Sequence, residues 1–525
     1  MTARKWGFYL AIVAALLGCP VDVVDGLVGT PFVRRGGSKR DVVSCRRPYA
    51  HRNTCIGSAR PPAAESCLKA EAVAEDSRST SSEKGSKRRG EDKFERWAAQ
   101  AGIRAPKLRH EVFADGLVGD LRGLKAVEAT SKSEQLVTVP AKAAISLTAS
   151  ESTPFRSWVS PEFWDSQQWY VKLALKLLWE RQLGAASAVE GYINVLPAQG
   201  SFETLIHWTD QELDALKYSR CAASAKRQRA AWEKLHEDMV ARCPEGAGRA
   251  VTRDDLVWAL ECVLSRAFNG RFGGGQKSAV LSAGLLAASG AAYAFTEQPV
   301  WVLVAALALL PLTLPELGSL QAAVSGKPDA KAASSDYVLV PFVDSMNHVT
   351  SAKTELSFSP VSGDLGVSVN RGYGEGEQAY ISYGLKSNDE LLQFYGFVEA
   401  DCPADTYVLD DIAKSLGVSG AKGGSPTKEV VIRRGAEVVS AETLEDLRAL
   451  LGAAERAGGG DIAVWTALRT VCEAELSQVR PDALGTTGDE GGSVRDRLAL
   501  AFRREKASVL DEAIRNLEKL EQGAS

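Results

Sequence analysis

Asp336-Tyr337-Val338-Leu339-Val340-Pro341-Phe342-Val343-Asp344-Ser345-Met346-Asn347-His348 is one half of the stretch that decides the reading of this chain. The other half runs Gln378-Ala379-Tyr380-Ile381-Ser382-Tyr383-Gly384-Leu385-Lys386-Ser387-Asn388-Asp389-Glu390-Leu391-Leu392-Gln393-Phe394-Tyr395-Gly396-Phe397-Val398. Tyr337 to Val343 is an apolar run of strand length, rich in β-branched and aromatic residues, and it stops at the polar group Asp344, Ser345, Asn347 and His348. Polar groups are thereby delivered at a strand end. Gln378 to Ser382 reads as a second short strand broken at Tyr383-Gly384, and Ser387 reads as the N-cap of a short helix over Glu390 to Phe394.

Taken singly, an Asn-His pair is a hydrogen-bonded turn and Tyr-Gly a common strand ending. Their ordered conjunction says more. Pro341-x-x-Asp344-x-x-Asn347-His348, then Tyr383-Gly384-x-Lys386-Ser387-Asn388-x-Glu390-Leu391-Leu392, then Tyr395-Gly396-Phe397 resembles the carboxyl half of the SET domain. The resemblance is to the branch that contains the Rubisco large-subunit lysine methyltransferase and the actin-histidine methyltransferase.

Working outward, 525 residues exceed one compact core and point to two or three units. A hydrophobic content of 45% and a charged content of 24% are those of a soluble globular protein. The net charge of −4 advertises no basic face, so nucleic acid is not an expected partner. The nine cysteines, at 19, 45, 55, 67, 221, 243, 262, 402 and 472, form no CxxC and no tight cluster. No zinc or other metal site is expected, and scattered single cysteines fit a reducing compartment.

Residues 1–24 have a short basic start, Arg4 and Lys5, before an uncharged apolar stretch from Trp6 to Val21, which reads as a signal sequence. Leu16-Leu17-Gly18-Cys19 also resembles a lipobox. Residues 25–92 combine an arginine-rich, acid-poor segment, from Gly29 to about Pro61, with a hydroxyl-rich and charged linker. A signal sequence joined to a transit peptide, with Phe32 after the junction, resembles the two-part leaders of algae whose plastids have extra membranes. Plastid stroma is the expected address. The competing readings are a disordered secretory leader or a cytoplasmic protein.

The SET-like region is expected over 93–405. Lys93 to Gly102 is a short amphipathic helix, followed by extended runs at Glu111-Val112-Phe113, Gly123 to Val127 and Glu134 to Pro140. Arg122-Gly123-Leu124-Lys125-Ala126 with Val139-Pro140 resembles the opening hairpins of the SET domain. There the resemblance implies that backbone at Asp120, Leu121, Arg122 and Gly123 lies against S-adenosylmethionine. Asp120-Leu121 departs from the Glu-Gly usual at that place. Trp169 to Arg181, Gln211 to Leu216, Lys226 to Ala241 and Asp254 to Asn269 have helical spacing, and this segment, about 160–270, resembles the helical insert of the same branch. The resemblance implies that Arg266 contacts the cofactor region, while backbone near Ser265 and Asp344 receives the substrate amine. Arg266 could equally pair with an acid at its helix end.

Between about 270 and 335 the chain departs from the family. From Ser278 to Pro315 the only charge is Glu297, and two apolar segments within 279–314 flank Glu297-Gln298-Pro299. A membrane-dipping hairpin, which would give membrane association, a buried hairpin, and translated intron sequence all fit. Residues 406–525 turn to helices at Ala441 to Leu451, Ile462 to Val479 and Ser493 to Leu520, resembling the substrate-binding domain that follows SET in this branch. The expected fold is therefore α+β: a mostly β SET core with an inserted helical subdomain, followed by an all-α carboxyl-terminal domain. Two β parts, about 108–140 and 336–400, must meet to form one site.

The resemblance implies methyl transfer from S-adenosyl-L-methionine to a protein side-chain nitrogen. A lysine amine must be neutral to attack, which at pH 7 costs about 4 to 5 kcal/mol from a pKa near 10.4. An apolar channel beside a cation lowers that pKa. Tyr383 is the candidate catalytic tyrosine, Asn347 and His348 are candidate cofactor contacts, and Tyr395 would line the substrate channel. For either tyrosine the plainer alternative is a core ring with a satisfied hydroxyl. The reading is a protein-lysine N-methyltransferase acting on a non-histone plastid protein, for which Rubisco large subunit or plastid aldolase are the substrates implied. Its rivals are a protein-histidine methyltransferase and an inactive SET-fold scaffold. A monomer is expected.

Overall fold

The computed structural model places Lys84–Ala283 and Leu312–Ser525 in one unit, the second of two. The structure describes residues 93–148, 151–270, 336–359, 364–416, 429–453, 460–481 and 492–523, all in the second unit. The leader (1–92) and most of the apolar insertion (271–335) lie outside the described residues, and so do the expectations placed on them. No described helix is long and apolar enough to cross a membrane.

Helix α1 (93–101) buries Phe94 and Ala98 against the first strands. Strands β1 (Leu108–Asp115) and β2 (Gly119–Ala126) form an antiparallel hairpin in which Glu111 faces Gly123 and Asp115 faces Gly119. Its turn is closed by Asp115, whose Oδ1 accepts the N–H groups of Leu117 (2.8 Å) and Val118 (2.9 Å), and by Gly119 at φ +84°, where a side chain would be strained. Strands β3 (Gln135–Val139) and β4 (Ile145–Leu147) follow.

The helical insert comes next, with α2 (Trp169–Leu183), α3 (Asp210–Ala215), α4 (Ser219–Arg242) and α5 (Arg253–Arg266). Thr209 and Thr252 open α3 and α5 as reciprocal capping boxes with Glu212 and Asp255. The sequence spacing extends the last helix to Asn269, but it stops at Arg266. Ala267 is extended (φ −75°, ψ 133°), and β5 (Ala267–Gly270) pairs with β6 (Asp336–Leu339). Helical periodicity carries no record of a strand partner that lies so far along the chain.

Strand β6 is itself shorter than the apolar run to Val343. Pro341 has no N–H to give a ladder, and Phe342 takes φ +74°, rare for a bulky residue. The Phe342 ring is buried against Phe94 (6.0 Å between centroids) and His110 (4.9 Å), contacts that offset the backbone strain. This corner feeds a 3₁₀ turn, Val343–Ser345, and then β7 (Asn347–His348). Strands β8 (Thr354–Phe358), β9 (Leu365–Val369) and β10 (Gln378–Ile381) complete the β part.

The sheets are small and built from distant segments. One has the order β1-β2-β10-β7, a second β3-β9-β8, a third β4-β6-β5. Strand β10 joins β2 antiparallel at Lys125 and Leu124, and joins β7 in parallel, Tyr380 beside Asn347 and Ile381 beside His348. The two β parts expected from the sequence therefore meet in one sheet. Helix α6 (Asn388–Tyr395) follows β10; the Ser387 N–H donates to Glu390 at 3.2 Å, and Gly396 ends the helix at φ +77°.

The carboxyl region is not helical throughout. Strands β11 (Thr406–Asp410) and β12 (Glu429–Arg433) form an antiparallel pair before α7 (Ala441–Ala453), α8 (Gly460–Val479) and α9 (Val494–Gly523). These elements enclose a second apolar core that also takes Leu205, Trp208 and Leu213 from the helical insert and Leu392 from α6. The insert thus contributes to both cores, since Trp258 and Leu260 of α5 pack with the sheets.

Candidate active site

The site lies where β2, β7, the end of β10 and α6 converge. The Asn347 side-chain amide donates to the Arg122 carbonyl oxygen at 3.1 Å, fastening β7 to β2. Gly123 lets the side chains of Gln378 and Asn347 come close there. A Cβ on it would lie 2.5 Å from Gln378 Nε2 and 2.8 Å from Asn347 Nδ2, closer than real Cβ contacts allow. The Arg122 guanidinium reaches the other way, donating to the Val195 carbonyl (2.7 Å) and to Ser345 Oγ (2.9 Å), so one residue binds hairpin, insert and 3₁₀ turn.

Tyr383 follows β10 directly. Its hydroxyl donates to the Met346 carbonyl oxygen at 2.8 Å, and its ring stacks on Tyr395 (5.0 Å, 21°) and on His348 (4.9 Å, 28°). Phe397 meets both tyrosines edge-on. Burial raises the Tyr383 phenol to about 12, with nearby Arg266 lowering it and Asp344 raising it, and burial also raises Tyr395. Both are neutral phenols at pH 7. With its one proton spent on Met346, the Tyr383 oxygen can only accept from whatever else approaches it.

His348 has no ring nitrogen to spare. Nδ1 accepts the Tyr383 N–H at 2.9 Å, which puts the ring proton on Nε2, and Nε2 faces Thr350 Oγ1 (3.2 Å) and Glu399 Oε2 (3.4 Å). Only its backbone is left to meet a ligand. Ser265 Oγ donates to the Glu261 carbonyl within α5 (2.6 Å) and accepts from Arg266 Nη1 (2.7 Å). Arg266 Nε stands 3.7 Å from Asp344 Oδ2, the same oxygen to which Tyr192 donates at 2.8 Å. Burial raises the Asp344 carboxyl pKa, with Arg266 and Tyr192 opposing the shift. The Asp344 carboxylate is thus committed to internal partners. Asp120 is exposed and Leu121 half-buried on β2, near the hairpin turn.

The structure therefore brings together Arg122, Gly123, Asn347, His348, Tyr383 and Tyr395, and joins Ser265, Arg266 and Asp344 in one polar group. Sequence reasoning missed Thr350 and Glu399 behind His348, the part that the motif residue Asn388 plays there, and Asp405 and Lys506 behind it. A lysine at an apolar position of a helix is the one signal of them that the sequence carries. Among the described residues no cluster of His, Cys, Asp or Glu could hold a metal ion.

The fold has counterparts among solved structures. The chain superposes on the SET domain of LSMT bound to lysine and AdoHcy with a TM-score of 0.53 at 18% identity, over 83% of this chain and 92% of that one. Rubisco LSMT bound to AdoMet gives 0.53 at 19%, over 83% and 93%. The fold is the SET domain.

In sequence, the SET-fold chain is 24% identical over 347 residues to the actin-histidine N-methyltransferase of Drosophila melanogaster, 66% of this chain and 56% of that protein. It is 23% identical over 332 residues to the chloroplastic fructose-bisphosphate aldolase lysine N-methyltransferase of Arabidopsis thaliana, 60% and 53%. The chain spans about half the length of these curated relatives. No family model matches it.

Proposed function

We propose that this chain is an S-adenosylmethionine-dependent protein N-methyltransferase, and that its acceptor is a lysine side chain. The observation that carries the reading is the Tyr383 hydroxyl, oriented by the Met346 carbonyl next to the Asn347–Arg122 clasp. A hydroxyl whose proton is engaged keeps lone pairs that can accept C–H···O contacts from an activated methyl group.

The residues present fit the cofactor. Strand β10 meets β2 at Lys125 and Leu124, and β7 is the last strand of its sheet, so the backbone of β2 and β7 lies side by side at the seam with β10. Backbone polar groups of Asp120, Leu121, Gly123, Asn347 and His348 would hold S-adenosylmethionine there, with Arg266 nearby. The bound cofactor supplies an electrophilic methyl on a sulfonium cation. Tyr383, Tyr395 and Phe397 make an aromatic wall suited to the alkyl stem and ammonium of lysine. Apolar surroundings favour the neutral amine. With both phenols neutral the walls offer no base, so the chain's contribution is alignment and desolvation.

The leader composition supports a plastid address, and the relatives' names support a protein acceptor. Plastid aldolase and Rubisco large subunit are the candidates to try first. Calorimetry with S-adenosylmethionine on the purified chain, followed by mass spectrometry of aldolase, Rubisco and actin after incubation with both, tests the reading. Absence of binding heat overturns it, and methyl groups found on histidine alone would replace lysine as the acceptor.

A further inference from the structure

Behind His348 lies a directed chain of hydrogen bonds. The Thr350 hydroxyl donates to Glu399 Oε2 at 2.5 Å, and the Thr350 N–H donates to Glu399 Oε1 at 2.7 Å. With its proton given to Glu399, the Thr350 oxygen accepts from His348 Nε2, and His348 Nδ1 is left to accept the Tyr383 N–H. Every donor has an acceptor only if Glu399 is ionised. Burial raises its pKa, but the bonds from His348 and Thr350 outweigh this and hold it at about 2.

Glu399 is itself held from both sides. Its N–H donates to Asn388 Oδ1 (2.8 Å), and its carbonyl accepts from Asn388 Nδ2 (3.1 Å). Asn388, fully buried, also gives its N–H (2.9 Å) and Nδ2 (3.0 Å) to Asp405. Asp405 accepts from Lys506 Nζ at 2.7 Å, and Lys506, on α9, is fully buried with Asp389 at 2.5 Å. The frame around Glu399 therefore runs into the carboxyl-terminal helix.

We propose that Glu399 is a positioning residue for Tyr383: its carboxylate, through Thr350, holds His348 in the tautomer whose Nδ1 anchors the Tyr383 backbone. The inference rests on the reading of Tyr383 given above for its meaning in catalysis, but its geometry does not depend on that reading. Glu399→Gln keeps the shape and replaces one acceptor oxygen by an NH₂ donor. Thr350 or His348 must then turn a donor toward a donor, and the relief is a proton moved to His348 Nδ1, which faces the Tyr383 N–H.

The test uses the full chain labelled with ¹⁵N-histidine. We expect the wild type to show His348 as the Nε2–H tautomer, and Glu399→Gln to shift it to Nδ1–H, with Tyr383 amide exchange faster by at least about tenfold. Glu399→Leu, which removes the acceptor altogether, should move both readouts the same way and stands in if Glu399→Gln does not fold. An unchanged tautomer and unchanged Tyr383 protection in a folded variant overturn the proposal. Calorimetry of the wild type with S-adenosylmethionine is run alongside; no heat there defeats the functional reading alone, since the tautomer and exchange results still decide the role of Glu399.

Discussion

Asn347 donates its side-chain amide to the carbonyl oxygen of Arg122 at 3.1 Å, although 225 residues separate them in the chain. That bond joins the opening hairpin to the polar strand end. It should therefore be felt in cofactor affinity more than in the fold. Asn347→Ala removes one hydrogen bond, about 1 to 2 kcal/mol, and we expect S-adenosylmethionine to bind about tenfold more weakly. Asn347→Asp should do at least as much harm, because two oxygens would then face each other. Calorimetry checks both, and unchanged affinity in either variant would detach the clasp from the cofactor site.

Gly123→Ala forces a methyl group into Gln378 Nε2 and Asn347 Nδ2. Both neighbours are side-chain ends, but they sit in the packed seam between β2, β7 and β10. We expect a loss of about 1 to 3 kcal/mol, seen as a lower denaturation midpoint. A stable protein with full cofactor binding would show the seam to be looser than its distances imply.

Tyr383→Phe deletes the hydroxyl that Met346 orients and leaves the ring stacked between His348 and Tyr395. Stability should fall by no more than about 1.5 kcal/mol, while turnover should drop at least about tenfold, or roughly 1.4 kcal/mol of barrier. Tyr395→Phe should alter substrate affinity or methyl number more than rate. Near-normal turnover in a folded Tyr383→Phe protein would reduce the likeness to one of fold.

Lys506→Met leaves Asp389 and Asp405 buried without their cation. Breaking such a group costs about 3 to 5 kcal/mol near neutral pH. The sign with pH follows from the carboxylates. Burial already raises Asp389, and losing the Lys506 cation that opposes this leaves that carboxyl still further above its unfolded range. The variant's folded state then takes up protons as pH falls, so its deficit should shrink toward about pH 4. Denaturant unfolding of both proteins at pH 7.5 and 4.5 measures this, and a deficit independent of pH would mean that lost packing dominates.

Glu399 has the opposite sign. Its folded pKa of about 2 lies below the ordinary value of 4.5, so its contribution is present above about pH 5 and is lost as pH falls toward 2. Glu399→Gln should flatten that part of the acid unfolding curve. Identical acid limbs for the two proteins would show that the carboxylate gains nothing from Thr350 and His348.

Local chemistry makes much of this protein legible from its sequence alone. The cap at Ser387, the helical spacing of α2 to α5 and α7 to α9 and the break at Tyr383-Gly384 are interactions among residues a few positions apart, and sequence records these directly. The motif order around Asn347-His348 and Tyr383 also drew these residues into one candidate site, because one polar cluster at a strand end needs few contacts to define it. Long-range pairing is different. That α5 yields to a strand at Ala267, that β6 ends before Pro341 and that β11 pairs with β12 depend on partners brought in by the whole fold. The relay from Tyr383 through His348 and Glu399 to Lys506 was invisible for the same reason: a buried charge is tolerable only where distant oxygens converge on it, and that convergence exists only in three dimensions.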